Sequence, residues 1–186
     1  MPPKVKITKE DIVNAAVDII RIYGVSAVNA RTVAANLNCS TQPVFSNFAT
    51  MEQLHLAVIE KAQEIYNAYT QREIESGKYP AYKASGMAYI RFAKEEKELF
   101  KLLFMCERSQ EQSLEDTELF ERMMPLVQEN TGLSGTNAKL FHLEIWAYVH
   151  GIATMFATDF LNLDWELVST TITDIYQGLR KHHTME

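Results

Sequence analysis

Apolar residues recur every three to four positions through almost the whole chain, and no alternating apolar and polar run is long enough to make a strand. That period is the signature of one buried helix face, so the chain is expected to be all-α, with about nine helices. With 186 residues, 47% of them hydrophobic, it has the material for a real core. The first helix is expected to open at Thr8, which caps with Asp11 three residues later, to carry Ile12, Ala16, Ile19, Ile20 and Tyr23 at helical spacing, and to stop at Gly24. A short second helix has Asn29 as its cap and Val33, Ala34 and Leu37 as its apolar face. A tight turn over residues 38–40 leads into a third helix capped by Ser40, with Pro43 in the first turn, where its missing N–H costs nothing. Thr50 and Gln53 then form a capping box for a long fourth helix that runs through Leu54, Val58, Ile65 and Tyr69 to about Ser76. Gly77 and Pro80 break the pattern. Five further helices are expected at about 80–93, 95–109, 113–130, 136–159 and 164–181. The apolar run "ELFKLLFM" is expected to be buried on every side.

Several function classes are excluded at this level. No GxSxG, GxxxxGK[ST], GxGxxG or HExxH pattern occurs, and the five histidines do not pair with acids or cysteines at ligand spacing, so neither an enzyme nor a metal or cofactor site is expected. The start "MPPKVKITKEDI" has no apolar signal region and no apolar run spans a bilayer, so the chain is expected to be cytoplasmic, with no membrane partner. Cys39 and Cys106 stand far apart without ligand spacing and are expected to be buried or half-buried thiols; Glu107 beside Cys106 works against a reactive thiolate. Glu95, Glu96, Glu115 and Glu118 read as solvated helix faces. The net charge of −6 disfavours nucleic acid on average, but it is unevenly spread: residues 1–60 carry five bases and five acids, and the remainder 13 bases and 19 acids. Phosphate contacts are local, so an acidic C-terminal part does not forbid a DNA-contacting N-terminal part.

Two short helices joined by a tight turn, the second opening with small polar residues, match a helix-turn-helix whose second helix enters a major groove; a capped surface helix has the same local pattern. Thr41, Gln42, Ser46 and Asn47 offer hydrogen bonds without bulk, and Gln42 is the best base reader because its amide can pair with adenine N6 and N7. Val44, Phe45 and Phe48 are expected to pack on the first helix and leave the other face free.

These residues carry a resemblance. Asn29, Ala30, Arg31, Val33, Ala34 and Leu37, the turn, then Thr41, Gln42, Pro43, Val44, Phe45, Phe48 and Leu54 are similar, over about 50 residues in register, to the N-terminal signature of the TetR family of bacterial transcriptional regulators. The resemblance implies a homodimer with a helix-turn-helix domain over residues 1–50, which binds palindromic double-stranded operators. It also implies an effector-binding and dimerisation domain over 51–186, the helix of about 51–76 being shared. It implies DNA contacts from Lys4, Lys6, Arg31, Thr32, Ser40, Thr41, Gln42, Phe45, Ser46, Asn47 and Thr50. The chain departs from the pattern at Asn38, where Gly is common, at Phe45, where a Tyr hydroxyl commonly reaches a phosphate, and at Met51, where Lys is common. Affinity then rests on Lys4, Lys6, Lys9, Arg31, Thr32 and helix-end amides.

Further along, "FAKEEKELFKLLFM" and then Trp146, His150 and Gly151 resemble a TetR sensor-domain subgroup marked by Trp, His and Gly. Ala147, Gly151, Thr154 and Thr158 form a stripe of small residues at helical spacing. With Val168, Ile172, Ile175 and Leu179 of the last helix they are expected to make a four-helix dimer interface. An unknown small apolar or aromatic effector is expected among Tyr89, Phe92, Phe100, Phe104, Met123, Met124, Phe141, Trp146 and His150, which also read as plain core. His150 is either a satisfied core histidine or the group that orients the ligand. The function expected is a ligand-responsive regulator, a repressor released by its effector; the alternative is a TetR-fold ligand- or partner-binding module with weakened operator binding.

Overall fold

The computed structural model describes residues 7–106 and 110–184, without the side chains of 110–119 and 122. Among the described residues there are nine α-helices, α1 Lys9–Tyr23, α2 Ala30–Asn36, α3 Gln42–Asn47, α4 Met51–Glu75, α5 Ala81–Glu95, α6 Lys97–Phe104, α7 Gln110–Thr131, α8 Gly135–Ala157 and α9 Trp165–Thr184, with a 3-10 turn at Val25–Ala27 and no strand. The fold is therefore all-α, as the apolar period requires. The start of α1 is as expected: the Thr8 hydroxyl accepts from the Asp11 N–H and the Asp11 carboxylate accepts from the Thr8 N–H at 2.8 Å. These bonds hold the Asp11 carboxyl below its usual range. Gly24 ends the helix with φ 79°, a conformation that favours glycine.

The chain divides into two compact units, one of residues 1–67 and 96–105, the other of 68–95 and 106–186. The division places α6 with the N-terminal elements, whereas the sequence reading assigns residues 51–186 to the C-terminal domain, with the helix of about 51–76 shared. Within the first unit α1 packs on α2 and α6. Its core holds Ile12, Ala16, Ile20, Val33, Leu54, Ala62, Leu99 and Phe100, each fully buried. Arg21 at the end of α1 makes a two-pronged ion pair with Glu96 just ahead of α6, at 2.9 and 2.8 Å. Glu96 is thus not the solvated carboxylate expected from sequence; its side chain is only 14% exposed. The α6 segment is also not buried on every side. Leu99, Phe100 and Leu103 point inward, Leu102 and Phe104 are half-buried and Met105 is exposed, because a two-turn helix lying on α1 has its neighbours on one side. Cys39 is half-buried as expected, but Cys106 is exposed.

In the second unit α5 packs chiefly on α8, and α8 in turn on α9 and α7. Met87, Ala88, Ile90 and Phe92 of α5, Phe141 and Ala153 of α8 and Val168 of α9 are fully buried there. Two tyrosine–histidine pairs cross from α5 to α8: Tyr82 Oη lies 2.8 Å from His142 Nδ1, and Tyr89 Oη 2.9 Å from His150 Nδ1. Burial pushes His142 down to about 4, lowers His150 as well, and raises Tyr82. Four-residue spacing on α8 brings Trp146 onto His150 as a stack, with 5.2 Å between ring centroids. No helix among the described residues is long and apolar enough to cross a membrane.

Candidate functional site

The short polar element of the opening third is built as follows. Asn29 caps α2 through its side-chain oxygen, which accepts from the N–H groups of Arg31 and Thr32. The Thr32 hydroxyl accepts from the Asn29 N–H and donates to Ala27 O at 2.8 Å, so its donor is committed to holding the start of α2. The turn after α2 passes through Asn38 at φ 51°, the left-handed geometry that Asn tolerates in place of Gly. Helix α3 starts one residue later than expected: Thr41, not Ser40, stands at the N-cap position, and no side chain caps it. Thr41 is in right-handed helical geometry there, which denies it the extended backbone that side-chain capping needs. The α4 box is shifted too. The Thr50 hydroxyl accepts from the Gln53 N–H, but Gln53 Oε1 accepts from the Ala49 N–H, one residue earlier than a standard box.

Val44 and Phe48 are the inward anchors of α3, at 1% and 5% exposure. Phe45 is not an anchor. One residue on from Val44 it turns about 100° round the helix and stands 53% exposed. Gln42 and Ser46 share the open side with it, and Ser40 ahead of the helix, Thr50 beyond it and Arg31 on α2 are exposed too. Thr41 and Asn47 are half-buried. Ser46 Oγ donates to Gln42 O at 2.9 Å, and Asn47 Nδ2 donates to Pro43 O at 2.9 Å and to Ile7 O at 3.5 Å. Two of the polar residues thus bond back onto their own backbone, whereas no partner for the Gln42 side chain is found among the described residues. Lys4 and Lys6 lie outside the described residues. Lys9 stands 5.5 Å above the Phe48 ring, at the foot of α1. An open groove of about 650 Å³ runs beside it between α1 and α4, lined by Val13, Phe48, Leu56 and Lys61 among others.

In the C-terminal unit the residues expected to form a pocket do not make one group. Phe92 and Phe141 are fully buried, Tyr89 is buried against His150, Met123 and Met124 are half-buried, and Trp146 is 47% exposed. Phe100 and Phe104 belong to the other compact unit. Met124 lines a smaller cavity of about 170 Å³ with Gln128, Leu133 and Ala138. The expected dimer stripe divides similarly. Ala147 and Thr158 are exposed and Gly151 and Thr154 half-buried, whereas Val168 and Ile172 are 0% and 4% exposed. The last two are already covered within this chain, because that side of α9 faces α8; Ile175 and Leu179 are half-buried. Sequence reasoning missed the outward Leu140, Leu143 and Leu167, at 44%, 48% and 50% exposure. The signal was present for α8, since Leu140 and Leu143 continue the Ala147 stripe back by helical steps.

Residues 82–171 match the family model of the tetracyclin repressor-like C-terminal domain. Over that stretch, a little under half of its length, the chain is similar to the TetR family. No curated protein sequence matches the chain. Solved structures share the fold. A TetR-like transcriptional regulator from Rhodococcus sp. RHA1 superimposes with a TM-score of 0.70 at 14% identity, covering 95% of this chain and 96% of that one. MexZ, a repressor responsible for antibiotic resistance in Pseudomonas aeruginosa, does so at 0.64 and 21% identity over 92% and 94% of the two chains. The multidrug binding protein EbrR, complexed with malachite green, gives 0.63 at 17% identity over 90% and 96%.

Proposed function

We propose that this chain is a TetR-family regulator: a cytoplasmic, dimeric, ligand-responsive repressor. Each α3 enters a major groove of a palindromic operator, and a small apolar or aromatic effector held in the C-terminal unit releases it. The observation that carries the reading is the two-sidedness of α3: Val44 and Phe48 fill its inner face, and Gln42, Phe45 and Ser46 are left on the outer one. Gln42 reads adenine and Arg31, with Lys4, Lys6 and the Thr50 end of α4, meets phosphates. Thr32 supports the contact by holding α2 rather than by touching DNA. For release, the effector must bind the two states of the protein unequally, since equal affinity shifts nothing. That EbrR binds malachite green supports an aromatic effector, and the Tyr89–His150–Trp146 cluster is the polar and aromatic group suited to orient one.

For the dimer, the outward α8 line of Leu140, Leu143, Ala147 and Thr154 pairs with its symmetry mate, joined from α9 by Leu167 and by half-buried Ile175 and Leu179 in place of Val168 and Ile172. A second reading, a TetR-fold binding module with weakened operator affinity, is favoured by the bare Phe45 ring and by Met51 at the first position of α4. Titrating the folded dimer against its own upstream intergenic DNA at low salt separates the two. Saturable binding is expected, with Gln42→Ala costing about 1 to 3 kcal/mol and relaxing one base position. A folded dimer that shows no saturable binding overturns the repressor reading in favour of the second.

A further inference from the structure

We propose that the outer face of α3 selects A·T base pairs, with Gln42 reading an adenine and Phe45 packing on the C5-methyl group of a thymine, so that the operator half-site has an A·T core. The inference rests on the reading of α3 as the recognition helix and specifies what that helix recognises. From Asn38 to Phe48 the chain holds no charged residue. Guanine presents only acceptors in the major groove and is best read by the donors of Arg or Lys, whereas cytosine presents an amine best read by a carboxylate. Neither chemistry is available on this element.

The neutral residues narrow the choice further. The Ser46 hydroxyl is engaged as a donor to Gln42 O, and the Asn47 amide donates to Pro43 O and Ile7 O, so both are poor donors to guanine O6 and N7. Gln42 is exposed, and its amide sets an NH2 donor beside a carbonyl acceptor, the pair that adenine N7 and N6 require. Against guanine its oxygen would face two acceptors. Phe45, three residues on and so on the same side of α3, is 53% exposed and has no polar atom. The apolar group that a base edge offers in the major groove is the thymine methyl. Adenine and thymine readers one turn apart make an A·T-selective face.

The experiment is selection of bound duplexes from a random-sequence pool by the full-length protein, followed by gel-shift titration of the winning site with thymine replaced by deoxyuracil, position by position. Half-sites with an A·T core are expected, with one thymine whose replacement weakens binding about fourfold, the value of one buried methyl group at about 0.8 kcal/mol. Phe45→Ala should bind thymine and uracil sites alike, and Gln42→Ala should lose the adenine preference while keeping the thymine one. A half-site with a G·C core, or wild-type protein indifferent to every thymine-to-uracil change, overturns the inference. No enrichment at all from folded dimer overturns the DNA-binding reading itself, and with it this one. Phe45 is exposed and Val44 and Phe48 hold the helix, so Phe45→Ala should fold; thermal melting beside wild type checks that.

Discussion

Arg21 and Glu96 are 75 residues apart in sequence and make a two-pronged ion pair at 2.9 and 2.8 Å that fastens the end of α1 to the start of α6 within one compact unit. Glu96 raises the basicity of the guanidinium, with Asp18 adding a weaker contact at 3.2 Å. The carboxylate is mostly covered and the guanidinium side chain 39% exposed, so solvent screens part of the attraction. Glu96→Gln keeps the shape and removes the charge; it should destabilise the protein by about 1 kcal/mol, read as a lower urea midpoint at unchanged slope. A shift no larger than that of Glu64→Gln, whose partner Lys61 is a surface ion pair three residues away, would show the Arg21 pair to be energetically idle.

Phe45 and Met51 occupy positions where the family resemblance leads one to expect phosphate contacts. Met51→Lys, at the first position of α4, should therefore add one. Affinity should rise for all sequences alike, and the slope of log K against log salt should steepen by about 0.9 per contact, measured by gel shift from 50 to 200 mM salt. An unchanged slope means that the side chain at position 51 does not reach the backbone.

The α8–α9 surface supports a two-way test. Ala147 is exposed and Ile172 is covered within the chain. Ala147→Glu should split the dimer while leaving the helical content intact, seen by analytical ultracentrifugation and circular dichroism. Ile172→Ala should instead lower stability by about 2 to 5 kcal/mol, as core truncations do, without changing the subunit contact itself. The reverse pattern would put the interface on the other side of α9.

His142 is 8% exposed, bonded to Tyr82, and titrates at about 4 in the folded protein because burial disfavours its charged form. The unfolded chain takes up that proton near pH 6.5 and the folded one only near 4. Stability is unaffected above pH 6.5 and falls as pH drops through the window down to 4, by up to about 3 kcal/mol. In His142→Asn the stability lost between pH 6.5 and 4.5 should be visibly smaller than in wild type. Equal slopes would mean that His142 is protonated as readily folded as unfolded.

The elements most legible in the sequence were those fixed by neighbours a few residues apart. The Thr8–Asp11 box, the Gly24 stop, the left-handed Asn38 turn and the Thr50 cap are local hydrogen-bond and backbone requirements, and each is present. So is the two-sided α3, although its cap lies at Thr41 and its middle aromatic faces outward. A list of apolar residues does not say which side a neighbour occupies, so Phe45 read as an anchor and Val168 and Ile172 as interface.

The sequence by itself determined an all-α chain, the placing of its helices and the polar, two-sided character of α3, because helix period, capping and turn chemistry act over three or four residues. Only the tertiary structure decided that Glu96 belongs to Arg21, that Tyr82 and Tyr89 meet His142 and His150, and which face of α8 and of α9 stays open. Those pairings join residues 60 or more apart, and their partners are selected by how the helices pack rather than by any local spacing.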